Sequence, residues 1–330
     1  MPVQVYYITE FSNSADQFKF QAQIEAIFRE KGFISIQYPR NYFSRLIFLA
    51  GFLRRLVPGS IIFFIHPLYS RTNQTILRIA QIKKSIPVCL VSDINSLRDE
   101  TIQFDNETSY WKKLMYFIFQ NDTMKRFVEK KLGTKKSVNL ELFDLLFPPV
   151  KRPRSNAKQV VFAGNIAKCP FIHDLHRIKQ IQWLIYTSSS LIVYENIVHH
   201  ELKDEVSVRK PLQGSYGLIW EGDTIENISN FKGQYLSIVT PLKLSNYLLN
   251  GLPVITHTDA AIAGFVIDHQ IGFCVDTLYD IPEKINAIPE EEYQQMRRNA
   301  EQFSGKIASG HYTGKAIDEM LEIIQQDQLS

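Results

Sequence analysis

A lysine at the start of a predicted helix is the residue whose position most clearly indicates chemistry. Lys243 lies in the segment VTPLKLSNYLLNGLPVI, just after Pro241 and two residues before Ser245. Gly251 and Pro253 predict the end of this helix, and a buried strand is predicted to follow. A helix N-terminus favours an anion, because its first N–H groups lack partners, and it disfavours a cation. A phosphate bound between Lys243 and these N–H groups would explain the lysine. The alternative is a surface lysine whose ammonium group extends into water.

Two glycine-containing turns are further candidates for holding a ligand. In QVVFAGNIAK, Gly164 and Asn165 follow a predicted strand, and Lys168 adds positive charge nearby. Glycine permits close approach of a backbone to phosphate, although an ordinary strand–turn–helix junction has a similar sequence. The segment lacks the further glycines of a dinucleotide-binding fingerprint.

The second turn brackets an aromatic residue with two glycines. In QGSYGLIWEGD, Ser215 and Tyr216 lie between Gly214 and Gly217. This arrangement suits stacking of a nucleobase on the ring and hydrogen bonding to its edge. The alternative is that the aromatic residues of this segment belong to the core, and we predict that outcome for Trp220.

Polar residues after three strands of the first half form a second candidate group. Asp93 ends the strand IPVCLVSD, with Arg98 close by, and Asp93 is either functional or only a helix cap. The remaining candidates in this group follow the first strand or the strand MYFIFQ: Thr9, Glu10, Asn13 and Asn121.

Other types of site are disfavoured. The 330 residues carry a formal charge of only +3, which gives no electrostatic case for nucleic-acid binding. Three widely separated cysteines match neither a zinc site nor a disulfide framework, which favours a reducing cytoplasm. No Asp-x-Asp segment, phosphate-binding P-loop or Gly-x-Ser-x-Gly elbow is present, so we expect no metal and no cofactor.

The segment NYFSRLIFLAGFLRRLV is apolar enough to raise the question whether it spans a membrane or lies on one. Its apolar residues are too interrupted to span a bilayer. Arg45 and Arg54 are about half a revolution apart on a helix, so there is no single basic face for lying on lipid. The pattern favours a helix that is broadly buried or lies in a subunit interface, with at most peripheral membrane contact.

The order of elements predicts an α/β protein with two doubly wound, Rossmann-like domains that face a cleft. Apolar strands alternate with helices in both halves, which implies parallel sheets covered on both faces. The proline-rich, basic segment PPVKRPRSNAK, residues 148–158, interrupts the pattern. We therefore predict domains at 1–150 and 151–311, with a C-terminal helix at 312–330 that returns to the first domain.

Taken together, these segments resemble GT-B glycosyltransferases. The resemblance rests on Ala-Gly-Asn at 163–165, Gly-x-Tyr-Gly-Leu-Ile-Trp-Glu-Gly-Asp at 214–223, Pro-x-Lys-x-Ser-x-Tyr-Leu at 241–248 and Gly-x-Pro-Val-Ile at 251–255. The chain looks most similar to the small bacterial family that adds a second sugar to serine-rich-repeat adhesins, whose members are often labelled glucosyl- or galactofuranosyltransferases. Departures from the family pattern occur at Ser92, Gln120 and residues 239–243.

The resemblance implies a retaining, metal-independent enzyme that moves a hexose, glucose foremost, from a UDP-sugar to O-linked GlcNAc on such an adhesin. It implies a cytoplasmic homotetramer, with the donor held by the C-terminal domain and the acceptor by the N-terminal domain. Lys243 and Asp93 are the expected catalytic residues. The alternative function is a non-catalytic partner that stabilises or recruits another transferase.

Overall fold

The computed structural model describes residues 3–9, 20–166, 169–192, 194–202 and 211–329. The chain divides into two compact units. The first comprises Met1–Leu140 together with Thr313–Ser330, and the second comprises Glu141–Tyr312.

The first unit contains a parallel six-stranded sheet. Its strands are β1 (Val5–Ile8), β2 (Ile34–Ile36), β3 (Ile61–His66), β4 (Ile86–Val91), β5 (Tyr116–Phe119) and β6 (Lys136–Asn139). Helices α1 (Phe20–Glu30), α2 (Tyr42–Arg55), α3 (Arg71–Ile82), α4 (Phe104–Glu107) and α5 (Asp122–Leu132) connect them. The strand order is β2-β1-β3-β4-β5-β6, so the winding direction reverses between β1 and β3.

The second unit contains another parallel six-stranded sheet. Its strands are β7 (Gln159–Ala163), β8 (Gln182–Thr187), β9 (Ile197–Glu201), β10 (Tyr216–Ile219), β11 (Val254–His257) and β12 (Gly272–Val275). Its helices are α6 (Phe231–Leu236), α7 (Leu242–Leu249), α8 (Ala263–Asp268), α9 (Ile281–Ala287) and α10 (Glu290–Ala308), followed by α11 (His311–Leu329), most of which belongs to the first unit. The order β12-β11-β10-β7-β8-β9 is the Rossmann order, and the winding reverses between β7 and β10.

The central strands have the continuous burial expected of parallel sheets. All six residues of β3 are buried, as are all four of β10 and all four of β11. The predicted helix–turn–strand sequence around α7 is also confirmed: the helix ends at Leu249, Gly251 has a φ of 61°, and β11 follows. Gly251 tolerates this left-handed conformation because it has no Cβ. Trp220 is fully buried, as predicted.

The basic, proline-rich segment at 148–158 lies within the second unit, and the chain passes between units at Leu140 and Glu141. Arg154 explains why this segment joins the second unit. Its guanidinium group donates to the carbonyl oxygens of Leu212 at 2.7 Å and Asn250 at 3.2 Å, and also to that of Gly214.

Helix α2 is not broadly buried, so of the two placements predicted from the sequence only the subunit interface stays a prediction. The stripe that contains Phe43 and Ile47 faces outward, with these side chains 74% and 75% exposed. The opposite stripe packs inward, where Phe52 contacts Phe48 and Tyr6. None of the helices in the described parts of the chain is long and apolar enough to cross a bilayer.

Candidate functional site

The reversal of winding in the second unit brings together the residues that are best placed to bind a ligand. Open α/β sheets bind ligands outside the carboxyl ends of the strands at this point. Here β7 ends at Ala163 and is followed by Gly164, while β10 ends at Ile219 and is followed by Trp220 and Glu221. The start of α7 reaches the same edge, because Lys243 contacts Glu221.

Lys243 forms an ion pair with Glu221 at this edge. The Lys243 Nζ donates to Glu221 Oε1 at 2.6 Å, and the two side chains are 18% and 12% exposed. Burial alone lowers the pKa of Lys243, but the Glu221 carboxylate outweighs burial and raises the pKa above its usual value. The lysine is therefore charged at neutral pH.

Glu221 was not predicted as a site residue from the sequence. It appears in the quoted 214–223 segment, but its contact with Lys243 joins residues 22 positions apart. Its other carboxylate oxygen accepts a hydrogen bond from Cys169 Sγ at 3.5 Å. The position directly after a central strand was the one local signal for a role in this site.

Gly164 provides room for the Lys243 side chain. A Cβ at position 164 would lie 3.3 Å from Lys243 Cε, a tight contact. The Lys243 ammonium group also lies 5.1 Å from the centre of the Phe162 ring, which favours a cation electrostatically. The end of β7 therefore encloses the lysine from one side, while Glu221 neutralises it from the other.

Tyr247 fixes the position of α7 over the two strands. Its hydroxyl accepts a hydrogen bond from the Ala163 N–H and donates to the Leu218 carbonyl oxygen, both at 3.1 Å. The hydroxyl thus bridges β7 and β10 beyond their paired residues. A Cβ at Gly217 would lie 2.4 Å from the Tyr247 ring, so this strand position requires glycine. Tyr247 is one helical turn after Lys243, which places both on neighbouring parts of the same helix face.

The start of α7 has the properties of an anion site. Its N-cap is Pro241, which provides no side-chain cap, and no acidic residue lies in the first turn. The unpaired N–H groups of a helix start carry partial positive charge. Together with Lys243, they favour an anion at this edge once that anion displaces Glu221 from its contact with the lysine.

The structure corrects the predicted role of the 214–217 turn. This turn precedes β10 and therefore lies at the amino end of the strand, opposite the edge that contains Lys243. Tyr216 is fully buried, its hydroxyl donates to Asn156 Oδ1 at 2.7 Å, and its ring packs against Tyr293. Ser215 is also buried and donates to the Ser155 carbonyl oxygen. These residues are structural and are not available to stack a nucleobase.

The remaining residues predicted around the phosphate differ in their placement. Asn165 is exposed directly after Gly164, at the expected edge. Ser245 is fully buried, and its hydroxyl has no hydrogen-bond partner in the described part of the chain, so it does not face a ligand at the helix start. Lys168 lies outside the described residues.

In the first unit, Asp93 and Arg98 lie together at the carboxyl end of β4. Asp93 Oδ2 accepts from Arg98 Nη1 at 2.9 Å, and its Oδ1 accepts from the Ile94 N–H at 2.8 Å. The short 3₁₀ helix that follows has Ile94 at its N-cap and no side-chain cap, so Asp93 is not the cap of that helix. Both side chains are partly exposed, at 23% and 34%, and are accessible to a polar ligand.

Two other residues predicted in this group, Asn121 and Thr9, are less suited to contact a ligand. Asn121 is the N-cap of α5, and its side-chain oxygen accepts from the Met124 N–H at 2.9 Å. Thr9 is buried and donates to the Ile36 carbonyl oxygen at 3.4 Å. Glu10 and Asn13 lie outside the described residues.

A buried polar cluster holds the loop that carries Asp93. Glu107 accepts hydrogen bonds from the N–H groups of Asn95 and Ser96 at 2.7 and 2.8 Å, and His66 Nε2 lies 3.3 Å from its carboxylate. The other His66 ring nitrogen contacts the Tyr110 hydroxyl. The carboxylate requires a donor, so His66 carries its proton on Nε2 and accepts from Tyr110.

The pKa values of this cluster keep it in one charge state. Burial alone raises the pKa of Glu107, but the hydrogen bonds from His66 and the two N–H groups lower it to about 2. Burial lowers the pKa of His66, and Glu107 offsets this only in part. At neutral pH the carboxylate is charged and the imidazole is neutral.

Because the pKa of Glu107 is low in the folded protein, we expect the protein to lose stability in acid as Glu107 takes up a proton. The pKa of Glu107 is about 2 in the folded protein and 4.5 ordinarily, so its stabilisation is present above pH 4.5 and is lost as the pH falls towards 2. Glu107→Gln should lower the free energy of unfolding by about 2–3 kcal/mol at neutral pH. Urea unfolding should show that this difference from the wild type shrinks in acid. Asp105→Asn, at an exposed carboxylate of the same helix, is the control. An unchanged gap between Glu107→Gln and the wild type at low pH would contradict the assignment.

No group of three or more His, Cys, Asp or Glu residues suited to hold a metal ion occurs within the described ranges. Among the described residues, Lys243 and the start of α7 supply positive charge at this edge.

Comparison with known proteins agrees with the two-unit organisation. Residues 5–142 match the N-terminal domain, and residues 160–320 the C-terminal domain, of Glucosyltransferase 3-like proteins. The chain is 29% identical over 215 residues to Beta-1,6-galactofuranosyltransferase WbbI of Escherichia coli (strain K12), covering 62% of this chain and 63% of that protein. It is 23% identical over 170 residues to Glucosyltransferase 3 of Streptococcus parasanguinis, covering 51% of this chain and 48% of that protein. The match thus spans less than two thirds of either relative.

Solved structures show the same fold at low sequence identity. Anabaena Alr3699/HepE, in complex with UDP-glucose, has a TM-score of 0.59 and 8% identity, covering 98% of this chain and 99% of that one. A glycosyltransferase from Rickettsia africae ESF-5 has a TM-score of 0.58 and 10% identity, covering 98% of both chains. The fold is that of GT-B glycosyltransferases, and the chain belongs to the Glucosyltransferase 3-like family.

Proposed function

We propose that the protein is a glycosyltransferase that uses a UDP-sugar, with the donor bound by the second unit and the acceptor by the first. The observation that carries this proposal is the position of Lys243. It is a charged, largely buried lysine at an uncapped helix start, on the edge of the sheet where ligands of this fold bind.

The chemical role of Lys243 follows from the charge of the leaving group. As the bond between the sugar and the diphosphate breaks, negative charge grows on the terminal phosphate, and a fixed cation lowers the energy of that state. On donor binding, the diphosphate replaces Glu221 as the partner of Lys243. The freed Glu221 carboxylate then lies within reach of the donor, as an acceptor for sugar hydroxyl groups.

We further propose transfer with retention of configuration and without a metal. A hydroxyl of the acceptor attacks the anomeric carbon on the face that the diphosphate leaves, and the departing phosphate oxygen takes the hydroxyl proton. One glycosidic bond forms, one sugar–phosphate bond breaks, and UDP leaves with the proton. Asp93 accepts a hydrogen bond from the attacking hydroxyl and orients it.

The proposed substrates are a UDP-hexose, glucose foremost, and O-linked GlcNAc on a serine-rich-repeat adhesin. The support comes from the family, from the streptococcal relatives named Glucosyltransferase 3, and from the neighbouring structure in complex with UDP-glucose. A homotetramer in the cytoplasm is part of the same proposal.

Release of UDP in the presence of a GlcNAc-modified serine-rich peptide tests the proposed function. UDP-glucose, UDP-GlcNAc and UDP-galactofuranose should be supplied separately, with the unmodified peptide as control. Acceptor-dependent release with one donor is the expected result. No release with any donor, despite measurable UDP binding, would instead support a non-catalytic partner that stabilises or recruits another transferase.

Chelation tests the proposed independence from metals. The rate of sugar transfer should be unchanged after treatment with EDTA, because Lys243 and the α7 start supply the positive charge that a divalent ion provides elsewhere. A loss of rate that manganese or magnesium restores would show that the diphosphate is held in a different way.

A further inference from the structure

One stretch of the first unit has a charge composition unlike the rest of the protein. The stretch from Lys31 to Ser92, counted with both ends, has nine lysine and arginine residues and no aspartate or glutamate. The whole chain has 37 basic and 34 acidic residues, so the remainder has 28 basic against 34 acidic. The net positive charge of the protein is therefore concentrated in the stretch that contains α2 and α3.

The outward stripe of α2 is apolar within this basic stretch. Four of its side chains are 47–75% exposed, and they recur at helical spacing: Tyr42, Phe43, Leu46 and Ile47. Leu53 and Val57, at 39% and 42%, extend the stripe towards the end of the helix. The inward stripe already packs against the unit through Phe48 and Phe52, so this second apolar stripe has no role in the core.

Helix α3 continues the same surface. The start of α2 contacts the start of α3, where Arg45 Nη1 donates to Thr72 Oγ1 at 3.3 Å. Helix α3 exposes Arg71 and Arg78, together with Ile82, which is 72% exposed. We call the exposed side chains of these two helices the α2–α3 face.

Arg45 and Arg54 do not form two opposed basic faces on α2, as their spacing in the sequence suggested. Arg45 is turned back onto the protein, where its guanidinium group donates to the Pro39 and Arg40 carbonyl oxygens and lies 5.4 Å from the centre of the Tyr38 ring. Arg54 is exposed at the C-terminal end of the apolar stripe. The exposed face is thus apolar in its middle and basic at its margins.

We propose that the α2–α3 face binds the surface of a bilayer that contains anionic lipid. Apolar and aromatic side chains enter the headgroup region, and the marginal arginines pair with lipid phosphates. A second copy of the chain fits this face less well. Isologous pairing places a surface against itself, and here that surface has basic residues without acidic partners.

Co-sedimentation with vesicles tests this proposal independently of any transferase activity. The full chain should bind vesicles made of equal parts phosphatidylcholine and phosphatidylglycerol, and bind pure phosphatidylcholine much more weakly. Added salt should weaken binding to the mixed vesicles, because it screens the arginines. The double variant Phe43→Ser/Ile47→Ser should lower the partition coefficient by at least about tenfold.

Ile267→Ser is the matched control, because Ile267 is an isoleucine 52% exposed on α8 of the second unit. It should bind vesicles as the wild type does, and circular dichroism should show that every variant is folded. Absence of wild-type binding to the mixed vesicles, or equal binding by the double variant, would overturn the proposal. Light scattering that shows a smaller assembly for the double variant, without a change in vesicle binding, would assign the face to contact between copies.

Discussion

Replacement of Lys243 by alanine is expected to lower sugar transfer by about ten- to more than a hundredfold. The substitution removes a charge-assisted contact to the diphosphate, worth roughly 1.5–3 kcal/mol. Both the affinity for UDP and the rate of transfer should fall, because the diphosphate is present before the reaction and gains charge during it. Calorimetry with UDP and a transfer assay measure the two effects.

Two further variants separate the loss of this contact from general damage. Lys232→Ala removes a partly exposed lysine of the same unit that pairs with Asp223 at 3.4 Å, and it should leave both UDP affinity and transfer unchanged. Lys243→Ala alone leaves the Glu221 carboxylate largely buried without its cation. The double variant Lys243→Ala/Glu221→Gln removes that negative charge, so it should recover the stability lost by the single variant but not the transfer activity. UDP binding and transfer by Lys243→Ala within twofold of the wild type would contradict the assignment.

Asp93→Asn is expected to lower transfer to a GlcNAc-modified peptide at least tenfold while leaving UDP affinity nearly unchanged. Asparagine can still accept a hydrogen bond from the Ile94 N–H, but it loses the charge that pairs with Arg98 and orients the acceptor hydroxyl. The separation of the two effects is the informative result, because donor binding is assigned to the other unit.

Asp99→Asn is the control for this experiment, since Asp99 is an exposed carboxylate of the same loop that accepts from Thr101. It should leave both UDP affinity and transfer unchanged. Normal transfer by Asp93→Asn would make Asp93 structural. The acceptor side would then have to be sought among the residues after the first strand, which include Glu10 and Asn13.

The sequence predicted the features that depend on local pattern. Near-continuous apolar strands separated by helices predicted two parallel sheets, and the positions of Gly251 and Pro253 predicted where α7 ends. Lys243 was also singled out from the sequence, because the helix macrodipole disfavours a cation at a helix start unless an anion lies nearby. The structure places this lysine beside Glu221, at the carboxyl edge of the second sheet.

Features that depend on contacts between distant segments were not predicted. Glu221 pairs with Lys243 across 22 positions, and no local pattern indicates that contact. The Tyr216 error has a different cause. The turn with two glycines precedes its strand, so it lies at the edge opposite the ligand edge, and the aromatic ring fills the core.

Helix α2 shows a limit of periodicity itself. Its sequence has apolar residues on two stripes, and periodicity cannot distinguish the stripe that faces the sheet. The inward stripe is the one with Phe52, whereas the stripe with Phe43 and Leu53 is exposed. Only packing against the strands resolves this choice.

The most direct test of the proposed donor site is a crystal structure of the protein with UDP. The diphosphate should lie within hydrogen-bond distance of Lys243 Nζ and the first N–H groups of α7, beside Gly164. The 2.6 Å contact between Lys243 and Glu221 should be broken or shared with a phosphate oxygen. UDP bound at another position, with that contact intact, would contradict the account.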